Sequence, residues 1–278
     1  MSNVKHSGSK ALRVSIILLV TLFSVAPFIW MIFLSFKSSS EIMQSPLALP
    51  QHFNFDNYRS AAQVLNFGRL YANTLLVCCV SLLIEFTITF LSSFAIARMT
   101  FSPRVKSTLY GYLILGLSIT PFILLFPVYR INTLLGFREQ LALIMPYVAT
   151  SISFNTLLLV GYLKELPAEL DEAALIDGCT LRQLLWRVIL PLTKPVIATV
   201  VIFNVLYIWN EFPFASVMLR DPAHYTLSMG ASFFKGTYTV DYGGMIAASI
   251  LIIVPELIFY FVFQKNIVEG MTAGAVKG

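Results

Sequence analysis

Long apolar runs alternate with short polar segments along this chain, and the runs have the length that a bilayer demands. A spanning helix needs roughly 20 apolar residues, because the hydrocarbon core is about 30 Å thick. Val14–Phe36, Ser107–Tyr129 and Gln140–Leu163 carry no charge; Leu70–Ala97 carries only Glu85, Pro195–Leu219 only Glu211 and Tyr242–Gln264 only Glu256. The pattern predicts an all-α membrane protein of six transmembrane helices. The first run exceeds a signal-peptide core and no small-residue cleavage site follows it, so it is expected to persist as a helix. The polar segments divide the chain into residues 1–69 (tail, first span, long loop), 70–264 (five spans) and 265–278 (tail). No internal repeat or low-complexity tract is evident.

Composition agrees. Hydrophobic residues make up 57% of the 278 residues and charged residues 12%, about half the charged share of a soluble domain. Mean hydropathy is +0.78. Three cysteines exclude a disulfide framework; Cys78, Cys79 and Cys179 are read as packing residues. The net charge of +5 is attributed to cytoplasmic loops, with no nucleic-acid partner implied. Lys5, Lys10, Arg13, Arg98, Arg104, Lys106, Lys164, Arg182, Arg187, Lys194, Lys265 and Lys277 fall on one face of the six-span topology. Lys37, Arg59, Arg69, Arg130, Arg138, Arg220 and Lys235 fall on the other. The richer face is cytoplasmic by the positive-inside rule, which puts both termini and the segment 164–192 inside.

That segment breaks the pattern. It reads "ELPAELDEAALIDGCTLRQLLWRVILPL" from Glu165 to Leu192. Pro167 suits a first helical turn, and Glu169, Asp171 and Glu172 favour the positive end of the helix dipole. Ala173 and Ala174 are strong, small helix formers. Gly178 can take the left-handed conformation that closes a helix. Thr180 and Gln183 have capping-box spacing; Leu181, Leu184, Leu185, Val188 and Ile189 then recur at helical intervals until Pro191. Two short helices with a glycine corner follow. Ordering them costs roughly 1–2 kcal/mol per residue in backbone entropy, which packing must offset. The residues leave open whether they pack on the protein's own inner surface and headgroups or dock a soluble partner.

Two outer segments attract attention. "FDNYRSAAQVLNFG" can form a surface helix started by Asp56 or Asn57. Residues 220–241, rich in Gly, Tyr and Phe, are either a shaped binding loop or a plain connector. The carboxylates inside spans are costly and face protein or water. Inter-helix hydrogen bonding or a position near the membrane edge is favoured for Glu85 and Glu256, whereas Trp209, Asn210 and Glu211 combine an aromatic face with amide and carboxylate groups, which suits a sugar. Enzymatic chemistry is not expected. No phosphate-binding loop exists, since Gly111 and Gly116 are followed by Leu117 in a span, and His6, His52 and His224 are scattered.

"EAALIDGCTLRQLLWRVILP" resembles the signature of importer permeases driven by ATP-binding-cassette subunits: E-A-A, three residues, G, nine residues, I-x-L-P. Glu172, Ala173, Ala174, Gly178, Leu190 and Pro191 match, and Val188 replaces the isoleucine. "IWNEFPFA", "MIFLSFKSSSEI" and "VEGMTAGAVKG" look like segments of the carbohydrate, MalG-like branch, so the likeness covers most of the chain. It implies the type I importer permease fold, with segment 164–192 as a coupling loop. The implied ATPase-coupling residues are Glu172, Ala173, Ala174, Asp177, Gly178, Leu190 and Pro191; the implied substrate pathway includes Trp209, Asn210 and Glu211. It further implies a second, MalF-like permease, two ATPase subunits that hold ATP and Mg, an external sugar-binding protein, and a bacterial inner membrane. No cofactor is expected in this chain. With no basic cluster in the spans, a neutral glycan is favoured. A stand-alone carrier coupled through the carboxylates, and a membrane anchor without a pathway, are the competing classes.

Overall fold

The computed structural model describes residues 2–236 and 240–273, with side chains from Leu12 to Lys265. Regular structure among the described residues is helical, apart from an isolated antiparallel bridge between Lys235 and Val240. We number the helices α1 (Ser2–Leu34), α2 (Ser39–Gln44), α3 (Asp56–Val64), α4 (Phe67–Arg98), α5 (Pro103–Ser118), α6 (Pro121–Leu135), α7 (Glu139–Glu165), α8 (Glu169–Ile176), α9 (Leu181–Leu192), α10 (Lys194–Asn210), α11 (Pro213–Met218) and α12 (Tyr242–Ala273). The chain divides into two compact units, one of Met1–Asn66 with Gly230–Val254, the other of Phe67–Met229 with Pro255–Gly278.

Four of the expected spans are continuous helices, over Leu12–Leu34, Phe67–Arg98, Glu139–Glu165 and Tyr242–Lys265. The other two are corrected. The third expected span is α5 and α6, which meet at a 100° bend. Thr120 precedes Pro121 and is extended there, as the proline ring dictates for its neighbour. The fifth does not run to Leu219: α10 ends at Asn210, Glu211 is extended, and Pro213 opens α11. Pro213 has no N–H to continue the ladder, and its ring would collide with the Trp209 carbonyl. At its other end α10 meets α9 at 74°.

In the larger unit, α4 packs along α7. The buried stripe of α4 holds Thr74, Ser81, Glu85, Thr89 and Ser93, among Val77, Phe90 and Phe94. Facing them, α7 buries Ser151, Asn155 and Thr156. Ser93 Oγ donates to the Thr156 carbonyl at 3.2 Å, and the Ser92 and Thr156 hydroxyls lie 3.3 Å apart. Small and hydroxylated residues allow close helix approach where lipid offers no hydrophobic incentive. The apolar remainder, including Leu143, Tyr147, Ile208 and Phe214, fills the core between α4, α7, α10 and α11. Deeper in the span, Glu85 accepts from Asn155 Nδ2, and Asn204 Nδ2 donates to Asn155 Oδ1 at 3.1 Å. Glu85 is therefore committed to a hydrogen-bonded triad across α4, α7 and α10, as expected for a buried carboxylate.

The smaller unit is organised by a polar knot after α1. Ser38 and Glu41 form a capping box on α2, and the Ser38 N–H that Glu41 accepts holds its carboxyl below the usual range. Lys37 is buried and donates to the Ser45 and Ala48 carbonyls at 2.6 and 2.9 Å. Phe55, not Asp56 or Asn57, occupies the cap of α3, and makes no side-chain capping bond. Asn57 is drawn elsewhere: its Nδ2 donates to the Ser35 and Lys37 carbonyls at 2.7 and 2.8 Å. Ser39 Oγ donates to Asp241 Oδ1 at 2.8 Å, which secures the start of α12. Asn57→Ala should cost about 1–3 kcal/mol by stranding two carbonyls, read as an earlier thermal unfolding transition of the purified protein in detergent. Asn57→Asp, which keeps the shape but not the donors, should behave similarly.

Candidate functional site

The segment after α7 is a helical elbow. Leu166 is extended, and α8 starts after Ala168 rather than at Pro167, so the proline precedes the first turn instead of occupying it. α8 closes as the glycine predicted: Gly178 has φ +77°, Cys179 N–H bonds the Ala174 carbonyl at 2.9 Å and Gly178 N–H the Leu175 carbonyl at 3.0 Å. This is the Schellman arrangement. Thr180 then caps α9 with the expected box: Gln183 N–H reaches Thr180 Oγ1 at 3.3 Å, and Thr180 N–H reaches Gln183 Oε1 at 2.8 Å. Within α9, Leu184–Ile189 widens into a π-helical turn. Pro191 explains it: the proline cannot bond the Arg187 carbonyl and crowds it, and a wider turn relieves that conflict.

The elbow has two faces. Ala174, Leu184 and Ile189 are buried against Phe90 and Phe94 of α4 and Leu163 of α7, with Cys179 and Leu190 half-buried at the edge. Trp186 adds a ring contact to Phe90 at 5.9 Å. Glu172, Ala173, Asp177, Gly178 and Pro191 are exposed. So are Leu175 and Ile176, the latter 86% exposed, and these two were not among the residues singled out by sequence. Their signal was present: in "EAALI" they are the apolar residues left over once Ala174 faces the core. One face of the elbow is thus packed on the protein and the other is exposed.

The second cluster centres on Trp209. A cavity of about 290 Å³ opens between α4, α10 and α12, with Leu75, Cys79, Leu206, Trp209, Glu256 and Phe259 on its walls. Trp209 lies 5.9 Å from the Tyr71 ring, and Asn210 Nδ2 donates to Glu256. Glu256 makes the inter-helix hydrogen bond favoured for it, and does so beside Trp209. Glu211 takes other partners. It is buried and accepts from Tyr147 Oη at 2.7 Å and from the Phe214 and Ala215 N–H groups at 2.7 and 3.2 Å. Its carboxylate caps α11 at the break enforced by Pro213. Of the cysteines, Cys78 is buried, Cys179 is half-buried, and Cys79 is exposed on the wall of this cavity.

The first part of the segment after α11 is tied to α4. Asn73 Nδ2 holds the Ala223 and Tyr225 carbonyls at 2.9 and 3.0 Å, and Thr74 Oγ1 accepts Leu227 N–H at 2.9 Å. A pocket of about 380 Å³ lies beside it, between α6 and α7, with Tyr129, Arg138, Glu139 and Arg220 on its wall. The long α7 separates this pocket from the elbow by its whole length.

Apolar helices of spanning length and buried polar residues that pair between helices mark a multi-pass membrane protein whose described residues are helical. The chain belongs to the family of binding-protein-dependent transport system inner membrane components, whose pattern matches residues 88–272. It is 35% identical over 260 residues to a putative ABC transporter permease protein of a Caldicellulosiruptor strain, covering 93% of this chain and 94% of that one. It is 32% identical over 271 residues to the trehalose/maltose transport system permease protein MalG of Thermococcus litoralis, covering 94% of each. It is 30% identical over 270 residues to the diacetylchitobiose uptake system permease protein NgcG of Streptomyces coelicolor, covering 96% and 89%. A crystal structure of a bacterial ABC transporter that imports the acidic polysaccharide alginate has the same fold, with a TM-score of 0.78 at 21% identity, covering 91% of this chain and 94% of that one.

Because Glu211 serves as a cap, Glu211→Ala should destabilise by about 1–2 kcal/mol, measured by thermal unfolding in detergent. Glu211→Gln keeps an acceptor and should lose less than half of that.

Proposed function

We propose that this chain is the permease subunit of an ATP-driven carbohydrate importer. It forms half of a translocation pathway, the other half coming from a second permease. An external binding protein delivers the solute, and two ATPase subunits, which hold ATP and Mg, drive the cycle. The elbow and both termini are cytoplasmic in this reading, as the Lys and Arg distribution asks. Hydrolysis takes place on the partners; this chain moves its solute without altering it.

One observation carries the coupling assignment: the face of the elbow that the protein leaves uncovered holds Glu172, Ala173, Leu175, Ile176 and Asp177. An exposed isoleucine and leucine beside a carboxylate and an alanine make a compact anchor with a polar rim, the composition of a docking surface. Ala173 permits close approach, and the left-handed Gly178 fixes the corner. The opposite face is held by Ala174, Leu184 and Ile189, so a push on α8 is transmitted rather than absorbed. An effector shifts a two-state protein only by contacting its states differently, and ATPase lobes that open and close around α8 meet that condition. The solute is a neutral sugar: Trp209 offers a flat apolar surface, and Asn210 and Glu256 offer hydrogen-bonding groups beside it. The relatives named for trehalose, maltose and diacetylchitobiose support that class.

Ile176→Asp and Glu172→Lys alter exposed side chains and should leave the permease folded. Each should reduce recovery of the ATPase subunits with a tagged permease by roughly tenfold or more, the effect of losing a central anchor worth about 2 kcal/mol. Normal recovery with both variants would remove the coupling assignment. An uptake assay on the same cells should fall in parallel.

A further inference from the structure

The elbow is joined to the rest of the larger unit by the chain on either side of it, by the apolar contacts of α8 and α9, by Tyr162 Oη of α7, which donates to the Leu192 carbonyl at 3.1 Å, and, at its α8 end, by a cation. Arg98 is the last residue of α4. Its Nη2 donates to the Leu166 carbonyl, just past the end of α7, at 3.0 Å. Its Nε lies 3.0 Å from Asp171 Oδ2 in the first turn of α8. One guanidinium thus holds three elements: the end of α4, the end of α7 and the start of the elbow.

The setting makes this contact stronger than a surface ion pair. The Arg98 and Asp171 side chains are only 13% and 18% exposed. Attraction between charges grows as water is excluded, and removing one partner leaves the other buried without compensation. At the joint Leu166 is extended and packs against the cluster under the elbow, and α8 has no side-chain cap, so Arg98 supplies the polar tie at its start. The pair also has spare capacity. Asp171 Oδ1 is buried with no hydrogen-bond partner, and the Arg98 Nε contact is ionic without the alignment of a hydrogen bond. A guanidinium and a carboxylate can engage by two parallel bonds, so a small rotation of α8 can tighten the same pair into a fork.

We propose that Arg98 is a positioning residue for coupling: through Asp171 and the Leu166 carbonyl it makes displacement of the elbow move the α4–α7 pair as well as α10. α10 receives the motion through the chain at Thr193. α4 has no such covalent route to the elbow; it receives the motion through Arg98 and the Phe90–Trp186 and Ala174 contacts. Without the guanidinium, ATPase movement bends the joint at Leu166 and is dissipated there. The inference rests on the coupling assignment above. Nothing in it requires Arg98 or Asp171 to touch an ATPase, so loss of the pair uncouples without releasing the partner.

The test uses the whole transporter in liposomes with its binding protein, and reads solute imported per ATP hydrolysed alongside ATPase subunits retained. Arg98→Asp and Asp171→Arg should each keep the ATPase subunits but lower the ratio by roughly fivefold or more, the smaller end of typical coupling strengths. The double variant, which restores opposite charges at the joint, should recover most of that loss. Wild-type ratios in the single variants, or a double variant no better than either single one, would overturn the proposal. Should the single variants fail to assemble, Arg98→Lys carries the test, because it keeps the charge but not the fork: a ratio at least about twofold lower supports the assignment, and an unchanged ratio overturns it. Failure of the coupling assignment itself gives a different signature, namely ATPase recovery that is indifferent to Ile176→Asp.

Discussion

In a bilayer, two helices gain nothing from the hydrophobic effect by leaving lipid for each other. The pairing of α4 with α7 must therefore come from close packing and from polar groups that lipid cannot satisfy. The stripe Thr74, Ser81, Glu85, Thr89 and Ser93 supplies both. Its serines and threonines are small enough to bring the backbones together, and Ser93, Ser92 and Glu85 reach partners on α7. Asn204 then adds α10 to the same network. Everything at the two candidate sites hangs from this pairing: the elbow leaves the end of α7 and packs on the end of α4, and the Trp209 cavity takes one wall from α4 and another from α10.

The elbow shows how a short polar segment becomes a mechanical part. Backbone capping fixes its shape at Gly178 and Thr180, and the apolar contacts of Ala174, Leu184 and Ile189 fix its pose. The break at Thr193, just before Pro195, is where α10 departs from α9 at 74°. Since one face is spent on holding the segment in place, the other is free to carry Glu172, Ala173 and Ile176 outward. Shape, pose and exposure thus derive from different residues, and each can be altered without the others.

Much of this was legible in the chain. Apolar length gave the four continuous spans and located the two bent pairs, and glycine and threonine chemistry gave the corner and the cap of α9. The breaks at Thr120–Pro121 and at Pro213 were not read, although each proline sits where a helix cannot continue; hydropathy is blind to a break inside an apolar run. The direction of Glu211 was also hidden. Residues 209, 210 and 211 are neighbours in sequence, but the helix ends between Asn210 and Glu211, and Glu211 takes different partners from the other two. The Arg98–Asp171 pair joins residues that no local pattern relates. What local chemistry decides was readable, and what depends on which helix lies alongside was not.

The central claim is that the open face of α8 meets an ATPase subunit. A photo-reactive amino acid in place of Ile176, irradiated in the assembled transporter, tests it most directly. The account predicts an adduct between this chain and an ATPase subunit, with a yield that changes when ATP is added. Adducts confined to lipid or to this chain, with none to an ATPase at any nucleotide state, would contradict it.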